Sequence, residues 1–242
     1  MKILFKLREV NAIEAWVSEG VRSLSWFGLT DGIYCVDTPA GRLFEHSSPS
    51  APDLSEPWCD YQVSRLFEDF IELWRVVSDS VPEDVLERYF AWRPREAELM
   101  RASDDEAYLD ACEGARFWWA ERRLDTLYLY SQPAVHLWRT GDQVRLSWQA
   151  LEPWTVASAE LSFPFEAARA AVADFFDRFL SAMRDRVQTI DREGWSRDDC
   201  RVDVERLVSE QVERESWADN AMSRVRTTDW DFVRARLTDI GA

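Results

Sequence analysis

The 242 residues carry 45 acidic and 29 basic side chains, a net charge of −16, with 46% hydrophobic and 13% aromatic content. Reading phosphates needs a basic face, so this balance argues against nucleic acid or an anionic membrane as direct partner. It favours solubility and attraction to a basic protein. Two histidines and four scattered cysteines (Cys35, Cys59, Cys112, Cys200) give no metal-ligand spacing, so neither a metal nor a cofactor is expected.

Residues 1–48 read as a strand meander. Ile3, Phe5 and Leu7 alternate with their neighbours, and the β-prone runs Val21–Phe27 and Ile33–Asp37 flank a Leu-Thr-Asp-Gly turn that predicts a hairpin over Trp26–Tyr34. Thr38-Pro39-Ala40-Gly41 predicts a further turn, with a strand over Arg42–His46. Residues 47–57, rich in serine and proline, read as a loop between strands and helices.

A helical block follows over 58–123. In Tyr61–Val77, Val63, Leu66, Phe67, Phe70, Trp74 and Val77 follow the 3.6-residue period. Ser80-Val81-Pro82-Glu83 has the pattern of a capping box opening a helix over Pro82–Ala91, which stops before Arg93-Pro94. Ser103 followed by three acids predicts a third helix to about Arg123, weakened at Gly114, with Trp118-Trp119 packing on a sheet. Strand character returns over 126–163: Thr126–Ser131, Ala134–Arg139, Gln143–Gln149 and Thr155–Phe163. Over 164–242 a long helix, Pro164–Ile190, carries a stripe from Ala168 to Ile190, and Arg201–Trp217 and Asp229–Leu237 close the chain as helices.

The order strands, helices, strands, helices predicts one α+β domain over 1–242, its antiparallel sheet built from the N-terminal and central hairpins and covered by amphipathic helices. Thirteen tryptophans predict a dense aromatic core, with Trp26 and Trp74 inside it. No apolar run approaches the roughly 18 residues of a membrane span, and the start of the chain lacks a signal-peptide pattern. A cytoplasmic protein with free thiols is expected.

No Walker loop, Gly-x-Gly-x-x-Gly, Gly-x-Ser-x-Gly or His-Glu-x-x-His occurs. His46 and His136 read as packed histidines, and a Cys59–histidine pair needs the fold to join its members. Asp60–Asp69 is the best polar constellation: at helical spacing Arg65 meets Glu68 and Asp69. Either this is a solvated face with weak ion pairs, or Asp31, Arg65, Glu68 and Asp69 form a carboxylate site for acid–base chemistry. Asp198, Asp199 and Asp203 match no calcium loop.

Charge is unevenly spread. Residues 45–113 hold 18 acids and 6 arginines, a balance of −12, three quarters of the net charge. Glu68, Asp69, Glu72, Glu83, Asp84 and Glu87, together with Asp31 and Arg65, are candidates for a face presented to a basic partner.

Trp26-Phe27-Gly28-Leu29-Thr30-Asp31-Gly32-Ile33-Tyr34, the stretch Asp60–Asp69 containing Tyr61, Arg65, Leu66, Glu68 and Asp69, and Phe179–Val187 together give the chain a resemblance to an uncharacterised bacterial domain family of unknown function. The three stretches span roughly residues 1–190, and the first is the most specific. The resemblance implies no activity and no catalytic residues. Small acidic proteins of this type suggest, by analogy alone, an immunity or inhibitor protein that binds a basic toxin-like partner. Two other classes stand beside it: an enzyme using Asp31, Arg65, Glu68 and Asp69, and a structural or adaptor subunit of an oligomer.

Overall fold

The computed structural model describes residues 1–18, 20–49 and 56–242. The loop expected over 47–57 therefore lies partly outside the described residues. The elements are β1 (Lys2–Leu7), β2 (Trp16–Ser18), β3 (Val21–Ser23), β4 (Gly32–Thr38), β5 (Gly41–Leu43), β6 (Cys59–Asp60), α1 (Val63–Val77), α2 (Glu83–Trp92), α3 (Glu96–Ala102), α4 (Glu106–Ala120), β7 (Val135–Thr140), β8 (Gln143–Trp148), β9 (Ala159–Pro164), α5 (Phe165–Glu193), α6 (Val204–Ser223) and α7 (Trp230–Asp239). This is an α+β fold with antiparallel sheets.

The strands do not form the one expected sheet. Among the described residues β4 pairs with β1, β5 and β6; β2 pairs only with β3; β7, β8 and β9 form a separate sheet. Among the described residues the segments flanking the two sheets are bridged antiparallel at His46 with Trp154, where Thr155 N donates to Glu45 O at 2.9 Å. Other partners occupy the edges that would have joined them. Arg178 of α5 donates to the Ile3 carbonyl at 2.7 Å. Backbone from 122–124 lies along β7, with Leu124 N donating to Val135 O at 2.8 Å and Leu137 N to Arg122 O at 2.9 Å.

The Trp26–Tyr34 hairpin is also corrected. β3 turns back on β2, and β4 runs beside β1 with Phe5 opposite Tyr34 and Leu7 opposite Gly32. Between them Gly28–Thr30 is a 3-10 turn, closed by Asp31 N donating to Gly28 O at 3.2 Å and braced by Thr30 Oγ1 donating to Phe27 O at 2.7 Å. Gly32 serves close approach rather than a hairpin turn: a Cβ there would stand 2.2 Å from the Lys6 carbonyl oxygen.

Several helix boundaries follow the pattern, with local revisions. Ser80 does not cap α2; its hydroxyl accepts from Gly141 N at 3.0 Å. Asp105, not Ser103, caps α4 by accepting from Ala107 N at 2.9 Å. Gly114 gives room to α7, since a Cβ there would meet Arg236 Cγ at 2.9 Å. The strand expected over Thr126–Ser131 is a chain of turns, because the Asp125 carboxylate takes Leu127 N at 3.0 Å and starts an Asx turn.

Aromatic packing ties the layers together. Phe175 and Phe179 of α5 meet Phe5 of β1 edge-on at 5.9 and 5.8 Å, and Phe67 of α1 lies 5.1 Å from both Phe176 and Phe179. Trp26 and Trp74 are buried in this core. A second cluster gathers Tyr89, Trp118, Trp119 and Trp138 from α2, α4 and β7, and Trp119 packs on the sheet as expected, 5.1 Å from Trp138. All four cysteines are buried and unpaired. Among the described residues no helix is long and apolar enough to cross a membrane.

Candidate functional site

The three stretches that carry the family resemblance converge at the head of α1. Ser64 Oγ donates to Thr30 Oγ1 at 2.8 Å, with both side chains fully buried, while the Thr30 proton goes to Phe27 O. Tyr61 N donates to Gly32 O at 3.0 Å. Arg8, immediately after β1, holds Asp31 and Asp60 together, at 3.1 Å to Asp31 and 2.7 Å to Asp60. From α5, Arg186 donates to the carbonyls of Leu29 and Arg8, and Phe179 meets Trp26 at 5.9 Å.

Beside this junction opens a cleft of about 590 Å³, lined by residues 13–17 from the β2 side and by Gly28, Asp31 and Gln62 from the turn and the head of α1. Trp16 stands on its wall, 54% exposed, braced edge-on by Phe27 at 5.6 Å. Glu14 is exposed and makes no ion pair among the described residues. Burial raises the Asp31 carboxyl above its ordinary value, while the Arg8 guanidinium pulls it down and Asp60 pushes it up. The cleft thus offers an aromatic face and acidic oxygens.

The structure separates the eight residues singled out from the sequence. Asp31 lies in this cleft. Arg65 pairs with Glu68 at 3.4 Å and lies over the Phe27 ring at 4.8 Å. Glu68 also faces Arg214 of α6 at 3.7 Å; burial raises its carboxyl, and Arg214 and Arg65 oppose that rise. Asp69 turns elsewhere, accepting from the Tyr128 hydroxyl at 2.7 Å. Glu72 pairs with Arg75 at 3.4 Å on the solvent side. Asp84 is taken by Arg234 of α7 at 2.8 and 3.1 Å, and that hydrogen bonding lowers its carboxyl. Glu83 and Glu87 are exposed, with no ion pair among the described residues. Asp31, Arg65, Glu68 and Asp69 do not converge on one reacting centre, and part of the acidic block is met by the chain's own C-terminal arginines.

Asp69 has a distinct environment. Tyr34 donates to Tyr128 at 3.4 Å, Tyr128 donates to Asp69, and Tyr61 stacks on Tyr128 at 4.8 Å. Burial pushes the Asp69 carboxyl up to about 8, against the Tyr128 hydrogen bond, and Asp125 and Glu68 add repulsion. Cys59, across the ladder from Tyr34, is buried and its thiol is pushed up to about 12, so it is protonated rather than nucleophilic. His136 is stacked on Trp119 at 4.5 Å; burial, with Arg93 and Arg123 nearby, lowers it to about 4. His46 lies against Trp154 with ring centroids 4.4 Å apart and planes tilted by 34°. Among the described residues no group of three or more His, Cys, Asp or Glu is arranged to hold a metal ion.

Trp16, Glu14 and Tyr128 carried no site signal in the sequence. Ala15-Trp16-Val17 is apolar at every position, so alternation does not say which side chain faces water. Tyr128 sits in a run that reads as strand.

A family model for a family of unknown function, DUF5984, matches residues 2–236. The chain belongs to DUF5984. The resemblance drawn from the three stretches is therefore right in kind: a family of unknown function covering nearly the whole chain. The match runs past Gly194 through α6 and into α7. Searches of curated proteins and of solved structures each returned no match.

Proposed function

We propose that this DUF5984 protein is a non-enzymatic binding protein of the immunity or inhibitor kind, acting in the bacterial cytoplasm on a basic protein partner through the cleft beside Trp16. The observation that carries the reading is an exposed tryptophan standing around one cleft with Glu14, which has no ion pair among the described residues, and with the half-buried, Arg8-paired Asp31. A guanidinium or ammonium gains from the indole face, by about 0.5–2 kcal/mol depending on desolvation, and from the carboxylates. The net charge of −16 steers such a partner toward the molecule. Glu83 and Glu87 on α2, without ion pairs among the described residues, add negative charge, whereas Glu68 and Asp84 are engaged with Arg214 and Arg234. The test is affinity capture from the native host with the wild-type chain and with Glu14→Gln, Trp16→Ala double replacement. A basic protein retained at low salt, released by salt, and lost with the double variant is expected. Retention by the variant overturns the assignment of the cleft, and a second copy of the chain as sole partner favours an adaptor subunit.

A second reading has its own observation. The Asp69 carboxyl, pushed up to about 8 and linked to two tyrosine hydroxyls, has the proton affinity of a general acid. This moves the enzyme alternative away from Asp31, Arg65 and Glu68. An activity screen in which Asp69→Asn and Tyr128→Phe lose turnover while remaining folded would support it; equal turnover in both variants would remove it.

A further inference from the structure

Among the described residues β2 pairs with β3 alone and no strand covers its other edge. The direction of its backbone groups follows from contacts on the far side of β3. Arg201 N donates to Arg22 O at 2.9 Å, and Leu24 N donates to Arg201 O at 3.0 Å. The Arg22 carbonyl thus points away from β2. In an antiparallel ladder a residue pair either exchanges both hydrogen bonds or neither. Arg22 and Val17 are partners in register, so they are the pair that exchanges neither. The N–H and C=O of Val17 therefore point outward at the open edge, and no hydrogen bond to either is found among the described residues.

Exposed edges are ordinarily blunted by lysine, proline, a bulge or a covering element. β2 has none of these within Trp16-Val17-Ser18, and Trp16 and Val17 are 54% and 62% exposed. The open edge borders the cleft, whose lining includes Ala15, Trp16 and Val17, and which carries Glu14, Asp31 and Gln62. An extended chain lying there would have strand hydrogen bonds on one side and acidic oxygens on the other.

From this juxtaposition we infer that the partner enters as an extended basic segment that adds a strand to the open edge of β2, exchanging hydrogen bonds with Val17 and placing a cationic side chain toward Glu14 and Asp31. Main-chain pairing supplies affinity in this mode and side-chain pockets supply selectivity. The inference rests on the reading of the same cleft as a site for a basic partner, and it commits that partner to a locally extended conformation.

The test uses the full chain, labelled with nitrogen-15, and three synthetic octapeptides: alternating arginine and valine, the same peptide with alternate amides N-methylated on the edge facing β2, and alternating glutamate and valine. Saturable amide shifts centred on Ala15, Val17 and Gln62 are expected with the arginine peptide. N-methylation should weaken its binding at least tenfold, and the glutamate peptide should not bind. Val17→Pro, which removes the outward N–H, should weaken the arginine peptide similarly while leaving shifts elsewhere unchanged. The methylated peptide needs no change in the protein, so it answers even if that variant misfolds. Equal binding of the methylated and unmethylated arginine peptides overturns strand addition while leaving a cationic cleft. Equal binding of arginine and glutamate peptides, with the methylated one weak, supports strand addition and overturns the cationic preference. No shift at Ala15 or Val17 with any peptide overturns the inference.

Discussion

The indole N–H of Trp26 donates to the side-chain carbonyl of Gln211 at 2.9 Å, joining the turn between β3 and β4 to α6 across 185 residues of sequence. Both side chains are buried, and the Gln211 amide donates onward to the Leu180 carbonyl of α5 at 3.2 Å and to Glu215 at 2.9 Å. One polar link therefore positions three elements around the junction at Asp31.

Gln211→Leu leaves the Trp26 N–H buried without an acceptor. The expected loss of stability is about 1–3 kcal/mol, measured as a lower urea midpoint with unchanged slope. Trp26→Ala and Trp74→Ala remove fully buried aromatics and should each cost about 3–5 kcal/mol. A midpoint unchanged in either alanine variant would show that the side chain is not part of the core.

Gly32→Ala is expected to be poorly tolerated although Gly32 does not have a positive φ. The new Cβ would stand 2.2 Å from Lys6 O, and 3.0 Å from Leu7 Cα, both backbone atoms of the neighbouring strand. The cost should reach the upper part of the roughly 1–3 kcal/mol range for overpacking. Gly20→Ala is a useful contrast, since apart from its chain neighbours no atom of the described residues lies within 4 Å of the added Cβ, and the positive φ of 78° opposes it. Equal stability of the Gly32 variant and the wild type in chemical unfolding would contradict the close approach.

The pH dependence has two opposed contributions. Asp69 is raised from 3.8 to about 8, so the native state holds a proton that the unfolded chain has lost; stability falls as pH rises through this window. His136 is lowered from 6.5 to about 4, so the unfolded chain takes up a proton first; its contribution is lost as pH falls from 6.5 toward 4. Between pH 4 and 6.5 the two slopes oppose each other, and from 6.5 to 8 the Asp69 slope stands alone of the pair. Asp69→Asn should flatten the decline between pH 6.5 and 8, and His136→Phe should steepen the decline that begins near pH 4. Urea unfolding at pH 5, 6.5 and 8 checks both signs.

Charge reversal should divide the acidic residues into two groups. Glu83→Lys and Glu87→Lys remove carboxylates without ion pairs and should alter stability by no more than about 0.5 kcal/mol. Glu68→Lys and Asp84→Lys place a cation against Arg214 and Arg234 and should lower the melting temperature, most clearly at low salt. A partner's association rate should be slowed by salt and by the first two reversals. An unchanged rate would exclude α2 from steering.

Much of the helical fold was legible because its cause is local. In α1, Val63, Leu66, Phe67, Phe70, Trp74 and Val77 recur at helical spacing and are all buried. Pro94 cannot continue a helix, and α2 ends at Trp92. Strand identity was legible for β7, β8 and β9 for a similar reason, with Gly141 at φ 56° in the turn between β7 and β8. Pairing was not. The Asp-Gly at Asp31-Gly32 permits a hairpin turn, but a hydrogen-bonded turn over Gly28–Thr30 and the pairing of Gly32 with Leu7 send the chain to β1 instead.

The candidate site divides along the same line. The amino-acid sequence by itself determined that the molecule is strongly acidic, rich in buried aromatics, and built of α1-like amphipathic helices and antiparallel strands, because charge, periodicity and turn chemistry act over a few residues. Only the tertiary structure decided that Glu68 meets Arg214 and Asp84 meets Arg234, that Asp69 faces Tyr128, and that Trp16 stands beside Asp31 on a cleft with an open strand edge. Each of these depends on which element packs on which. That choice is made by summed burial and by the filling of strand edges across more than a hundred residues, and no local pattern encodes it.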